Sequence, residues 1–227
     1  MLDERLKTIA SLVDKGSEVI DVGCDHALLD IYLTLYNDNK CIATDISEGA
    51  IKQARKNLYR YGLTNEVKLK VCDGLKDIPD IKNKIIVLSG MGTETILKIL
   101  EDERIYEAKS IIISTQTELK LLRRRMMVKK FRIAEEKVAL ENYKFYVVIK
   151  FIKGCKNYTA RELYLGPLLI KDKSYEVFRY YESLFYENRD ILKKIPNKYP
   201  QKRLAYSKHI DWIIELIGKK LGPQYWK

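Results

Sequence analysis

The chain has 227 residues, 46% of them hydrophobic and 32% charged, and 42 Lys and Arg against 31 Asp and Glu leave a formal charge of +11 at pH 7. A chain of this size buries roughly 70% of its unfolded surface, and this composition excludes wholesale disorder. No apolar run approaches the roughly 20 residues of a membrane span, Ile85-Ile86-Val87-Leu88 being a typical stretch. Met1-Leu2-Asp3-Glu4 places acids where a secretory signal carries bases, so a cytoplasmic, membrane-free protein is expected. Cysteines at 24, 41, 72 and 155 form no CxxC pair, and His26 and His209 are the only histidines. That argues against a metal centre and against a disulfide framework. The positive surplus points to a polyanionic partner, because Lys and Arg clusters bind phosphate and release its counterions. The bland alternative is a lysine-rich codon bias.

Through residue 154 short apolar strands alternate with amphipathic helices. Strands are predicted at 18–22, 40–44, 67–71, 84–88 and 110–114, each rich in β-branched residues. Helical patterns fall at 28–35, 50–61, 95–100 and 118–129. Such alternation implies right-handed βαβ units and a parallel sheet covered on both faces. Two more β-like stretches, 131–138 and 144–151, have no long helix between them and read as an antiparallel hairpin at a sheet edge.

Beyond Lys153-Gly154 the pattern is helical only, broken at Gly166-Pro167 and between Pro196 and Pro200. Val177, Tyr181, Leu184, Asn188, Ile191 and Ile195 recur at alternating steps of 4 and 3, and Arg203, Tyr206, Ile210, Ile213 and Ile217 at steps of 3 and 4. Two such seams joined by a Pro-bounded turn predict an antiparallel helical hairpin of coiled-coil type. The predicted division is therefore 1–154 and 155–227. The second segment holds 15 Lys and Arg against 8 Asp and Glu, so most of the excess charge lies there.

The strongest local signal is Ile20-Asp21-Val22-Gly23-Cys24-Asp25-His26-Ala27, a strand running through a tight turn into a helix. Gly23 lets the backbone bend and lets a ligand approach the strand's carboxyl end. A dinucleotide site would want a second glycine where Asp25 stands, so that pyrophosphate could reach the helix N-terminus. A carboxylate there repels pyrophosphate and suits a cation, such as the sulfonium and ammonium of S-adenosylmethionine. Asp25 as a plain helix N-cap, worth roughly 1 kcal/mol, is the structural alternative. Asp45 closes the second strand where an acid can accept ribose hydroxyls, with Ile46 following it. Cys72-Asp73-Gly74 closes the third strand, and Ser89-Gly90-Met91-Gly92 the fourth.

The DVGCDHA turn, the Asp45 strand end and the GMG turn resemble the bacterial tRNA (adenine(22)-N(1))-methyltransferase (TrmK) family, and the likeness continues through Leu165-Gly166-Pro167-Leu168. The family's first turn typically reads D-x-G-S-D-H-A-Y-L-P; here Cys24 replaces the serine, Leu28 the tyrosine and Asp30 the proline. Its fourth turn usually reads G-M-G-G, where this chain has Thr93 last, and its Q-P-x after the fifth strand is here Ser114-Thr115-Gln116.

The resemblance implies a doubly wound α/β, Rossmann-like class I methyltransferase domain with a C-terminal helical hairpin. It implies methyl transfer from S-adenosyl-L-methionine to N1 of an adenine in the D-arm region of tRNA. Asp21, Gly23, Cys24, Asp25, His26, Asp45, Ile46, Asp73, Gly74, Gly90, Met91 and Gly92 are then the expected donor-binding residues, with Asp25 and His26 nearest the reacting centre. Cys24 inside a donor loop is not expected to be a nucleophile. Arg123 and Arg124 on the helix after the fifth strand, and Lys194, Lys198, Lys202 and Arg203 around the hairpin turn, are candidate tRNA phosphate contacts. A monomer is expected. The competing functions are methylation of another RNA or a small molecule, and RNA binding by a protein with a relict donor pocket.

Overall fold

The computed structural model describes residues 2–221, which fall into two compact units, Met1–Lys156 and Asn157–Lys227. The first unit runs α1 (Glu4–Ala10), β1 (Glu18–Val22), α2 (Leu28–Asn37), β2 (Lys40–Asp45), α3 (Glu48–Tyr61), β3 (Val67–Val71), β4 (Ile85–Ser89), α4 (Thr93–Ile99), β5 (Ser110–Thr115), α5 (Leu119–Val128), β6 (Phe131–Glu141) and β7 (Lys144–Lys153). One seven-stranded sheet has the order β3-β2-β1-β4-β5-β7-β6. The first five strands are parallel, and the β6–β7 hairpin adds antiparallel to β5, with β6 at the edge.

Every residue of β4 and β5 is buried. Because successive side chains point to opposite faces, this means that both faces of the sheet centre are covered. β1 lies between β2 and β4, with Val22 in register with Thr44 on one side and Leu88 on the other. The chain's direction of winding reverses there, so the carboxyl ends of β1 and β4 open a crevice between them.

Helix ends follow local chemistry. Ser47 caps α3 through the Ala50 amide, and Gly62 ends it in the left-handed conformation. Asp25 does not cap α2. That helix starts after Ala27, itself left-handed, with no side-chain cap. The sequence pattern left out α1, although Asp3 caps it through the Leu6 amide and Leu6, Ile9 and Ala10 bury its inner face.

One charged pair sits fully inside. Arg123 of α5 and Glu136 of β6 have no exposed side-chain surface, and Arg123 Nε donates to Glu136 Oε1 at 2.8 Å. Arg123 is thereby unavailable to a phosphate, which corrects the expectation from its basic run; Arg124 beside it is exposed. The apolar spacing of α5 turns position 123 inward with Leu122 and Met126, and Glu136 supplies the charge it needs there.

The second unit comprises α6 (Ala160–Leu165), α7 (Tyr175–Lys194) and α8 (Pro200–Leu221). Thr159 and Glu162 form a reciprocal capping box that starts α6. α7 and α8 pack together as a hairpin. Val177, Tyr181, Asn188, Ile195, Ile213 and Ile217 are buried as the seam requires, but Ile191 is 39% exposed. Arg203 donates to the carbonyls of Ile195 (2.6 Å) and Leu192 (3.2 Å), satisfying the end of α7. Its guanidinium is therefore engaged in the turn, unlike the exposed Lys194, Lys198 and Lys202. Among the described residues no helix is long and apolar enough to cross a membrane.

Replacing Arg123 with alanine leaves Glu136 charged and buried. A loss of about 3–5 kcal/mol is expected, read as a lower urea midpoint.

Candidate active site

A cleft of about 850 Å³ opens at the carboxyl ends of β1 to β4. The exit of β1 shapes its floor. Gly23 has φ +78, and a Cβ there would stand 2.6 Å from Met91 Cε, so the turn after β4 packs directly on glycine backbone. The amides of Gly23 and Cys24 both donate to the Thr44 carbonyl, at 2.8 and 2.9 Å, which ties the turn to the end of β2. Asp25 follows in the left-handed region, φ +50, a conformation Asp tolerates better than most residues. Asn57 of α3 donates to the His26 carbonyl at 2.9 Å and holds the far side of the loop.

Asp21, Gly23, Cys24, Asp25, His26, Asp45, Ile46, Asp73, Gly74, Gly90 and Met91 all line the cleft. Gly92 does not; it is the N-cap of α4 in extended conformation. Asp25 and His26 stand at the mouth with side chains 76% and 51% exposed and 3.6 Å apart. Asp45 accepts from the amides of Ser47 (2.8 Å) and Asp25 (3.3 Å), which aims its carboxylate across the β1 turn. Asp73 pairs with Lys76, and Ile46, 72% exposed, presents an apolar wall beside it. Burial pushes the Cys24 thiol far up, so it is not a nucleophile.

Sequence reading missed Asp3 and Arg5, which α1 brings to the cleft. Arg5 Nε lies 3.1 Å from Glu141 Oε2, and its guanidinium stands over the Tyr146 ring at 5.4 Å. The Asp3-x-x-Leu6 cap followed by apolar residues at helical spacing is the signal that could have located it. The lining thus holds five aspartates, Asp3, Asp21, Asp25, Asp45 and Asp73, against Arg5 alone of the strong bases. This donor set fits a cationic ligand and opposes a pyrophosphate.

The departures from the family pattern meet in space. Thr93 Oγ1 donates to the Thr117 carbonyl at 2.7 Å and lies 3.1 Å from Thr115 Oγ1, so the altered fourth and fifth turns share one hydrogen-bonded contact. Asp30, standing at the family's proline position, is completely buried in α2 and faces Asp21. Both oxygens of Asp30 and Oδ1 of Asp21 have no hydrogen-bond donor. Two carboxylates cannot donate to each other, and one proton between them supplies the missing donor. Burial raises both carboxyls, Asp21 well above the ordinary value and Asp30 from 3.8 to about 7.

The fold and this cleft define a Rossmann-like methyltransferase domain, and the family model described as a methyltransferase domain matches residues 2–149. The tRNA (adenine(22)-N(1))-methyltransferase of Bacillus subtilis is 25% identical over 182 residues, 76% of each chain. The structure of M. capricolum TrmK with S-adenosyl-homocysteine superposes with a TM-score of 0.83 at 28% identity, covering 96% of this chain and 98% of that one. A Streptococcus pneumoniae structure in complex with S-adenosyl-L-methionine gives 0.85 at 26%, covering 96% and 100%. The chain belongs to the bacterial tRNA (adenine(22)-N(1))-methyltransferase family, TrmK.

The buried acid pair sets a pH dependence. Asp30 binds its proton more tightly folded than unfolded, so between about pH 4 and 7 the native state holds the extra proton and stability falls as pH rises. Asp30→Asn supplies a permanent donor to Asp21. It is expected to remove Asp30's share of this slope and to exceed wild-type stability at pH 8. Urea midpoints at pH 5 and pH 8 measure it; parallel pH profiles for the two proteins would refute the shared proton.

Proposed function

We propose that this protein transfers a methyl group from S-adenosyl-L-methionine to N1 of adenine 22 in tRNA. The observation that carries the reading is the acid-lined cleft at the β1–β4 switch point, in a chain of the TrmK family. When bound, the donor supplies an electrophilic methyl on a sulfonium. On this reading Asp45 accepts the ribose hydroxyls, Asp73 with Ile46 takes the adenine end, and Asp21 with the Gly23–Cys24 turn meets the cationic amino-acid end.

Adenine N1 carries a free lone pair at neutral pH, so no strong base has to act before attack. Positioning is the main source of rate, and it can supply roughly 7–11 kcal/mol. N1 lies on the Watson–Crick edge, so the base must leave its stack at a cost of a few kcal/mol. The turn after β4 offers bare backbone to receive it at Gly90, where a Cβ would meet nothing within 4 Å. Asp25 and His26 at the mouth are the side chains assigned to orient the base and offset the product's positive charge. Thr93 and Thr115 fix this turn from behind.

The helical unit serves as a tRNA-binding arm through the exposed Lys194, Lys198 and Lys202, with Arg124 adding a contact from the methyltransferase domain; these grip phosphate and read no sequence. The protein acts in the cytoplasm, as a monomer.

Asp45→Ala should weaken donor binding by about 1.5–3 kcal/mol in calorimetry, the value of hydrogen bonds to a charged group. Mass spectrometry of nucleosides from tRNA incubated with protein and donor should show 1-methyladenosine. The product should vanish when adenine 22 is replaced by guanine. A different methylated nucleoside, or none, would overturn the reading.

A further inference from the structure

A second groove, of about 910 Å³, lies away from the cleft between α3 and the edge strand β3. Its α3 wall carries Lys52, Arg55, Lys56, Tyr59 and Arg60, at positions i, i+3, i+4, i+7 and i+8 of one helix face. The opposite positions Ile51, Ala54, Asn57 and Leu58 are buried against the sheet, which fixes the cationic face outward. Lys68 of β3 adds a fifth positive charge from the other wall, and no acid lines the groove. All five cations are exposed, and none has an ion pair or side-chain hydrogen bond among the described residues. Tyr59, 79% exposed, stands among them.

A solvated helix face usually mixes signs, because i,i+4 opposite-charge pairs stabilise it and like pairs cost a few tenths of a kcal/mol each. An unbroken cationic stripe with an exposed tyrosine gives up that stabilisation. Lysine on an edge strand is explained by protection against edge pairing, and so accounts for Lys68; it does not account for four cations on a helix. The stripe is also joined to the cleft. The N-terminal turns of the same helix, Ser47, Gly49, Ala50 and Gln53, line the cleft, and Asn57 holds the loop of Asp25 and His26. From Lys52 to Arg60 the cations extend about 12 Å away from it along a rigid helix.

We propose that this groove is a tRNA backbone contact of the methyltransferase domain, in which the α3 cations hold the phosphodiester strand flanking the base that enters the cleft. The inference rests on the tRNA-methyltransferase reading above. The contact is independent of sequence, since Lys and Arg meet phosphate, and Tyr59 offers a ring face to ribose or an unstacked base.

The test compares two triple variants of the full chain. Arg55→Ala, Lys56→Ala and Arg60→Ala remove the end of the stripe furthest from the cleft and keep a strong helix former at each position. Arg132→Ala, Lys144→Ala and Lys153→Ala remove the same charge from the β6–β7 hairpin, at the edge of the sheet away from β3. With wild-type donor affinity confirming an intact fold, the groove variant should bind tRNA at least tenfold more weakly. Its log–log salt slope should flatten by about 0.7–0.9 for each phosphate the variant no longer neutralises, and the control should stay close to wild type. Equal tRNA affinity and equal salt slope in the two variants would overturn the groove. Absence of 1-methyladenosine formation by the wild-type protein would instead overturn the functional reading, so the two failures are distinguishable.

Discussion

A single backbone carbonyl, that of Thr44, receives two amides from the exit of β1, Gly23 and Cys24. The architecture of the cleft depends on this junction. The two bonds force the chain to turn at the end of the central strand, and only glycine accepts φ +78 there without strain while Met91 presses on its face. Once the turn is fixed, Asp25 and His26 are carried to the mouth and Asp45 is brought beneath the same loop, bonded to the Asp25 amide. The cleft-lining acids at the ends of β1 and β2 therefore share one anchoring point.

Around that point the protein keeps charge inside in two different ways. Arg123 and Glu136 neutralise each other and join α5 to the edge strand. Asp21 and Asp30 carry the same sign and are stable together only with a proton between them. The first is a structural lock. The second lies directly under the cleft, where the approach of a positively charged ligand favours the ionised pair. Stability and ligand charge are thus in tension at Asp21, as expected where a binding site is built on a buried strand end.

The helical unit solves a different problem. Its apolar seam is short of a full coiled coil, because Ile191 faces solvent and Asn188 turns its amide back to the Leu184 carbonyl. Arg203 closes the turn by binding the last carbonyls of α7, so part of the basic cluster is structural, while Lys194, Lys198 and Lys202 stay exposed.

The sequence by itself determined the strand–helix alternation, the edge hairpin, the helical appendage and the strand-end residues that line the cleft. These follow from local rules: β-branched runs make strands, period-3.6 stripes make helices, and acids or glycines at strand ends mark a ligand side. Tertiary structure alone decided what depends on burial or on distant residues meeting. Arg123 looks like one more exposed cation in a basic run until Glu136, thirteen positions on, pairs with it inside. Asp30 reads as a tolerated replacement for proline until it faces Asp21, and Thr93 and Thr115 read as separate departures until their hydroxyls meet. Periodicity says which face of a helix is apolar, but it cannot say which charge the opposing element brings to that face.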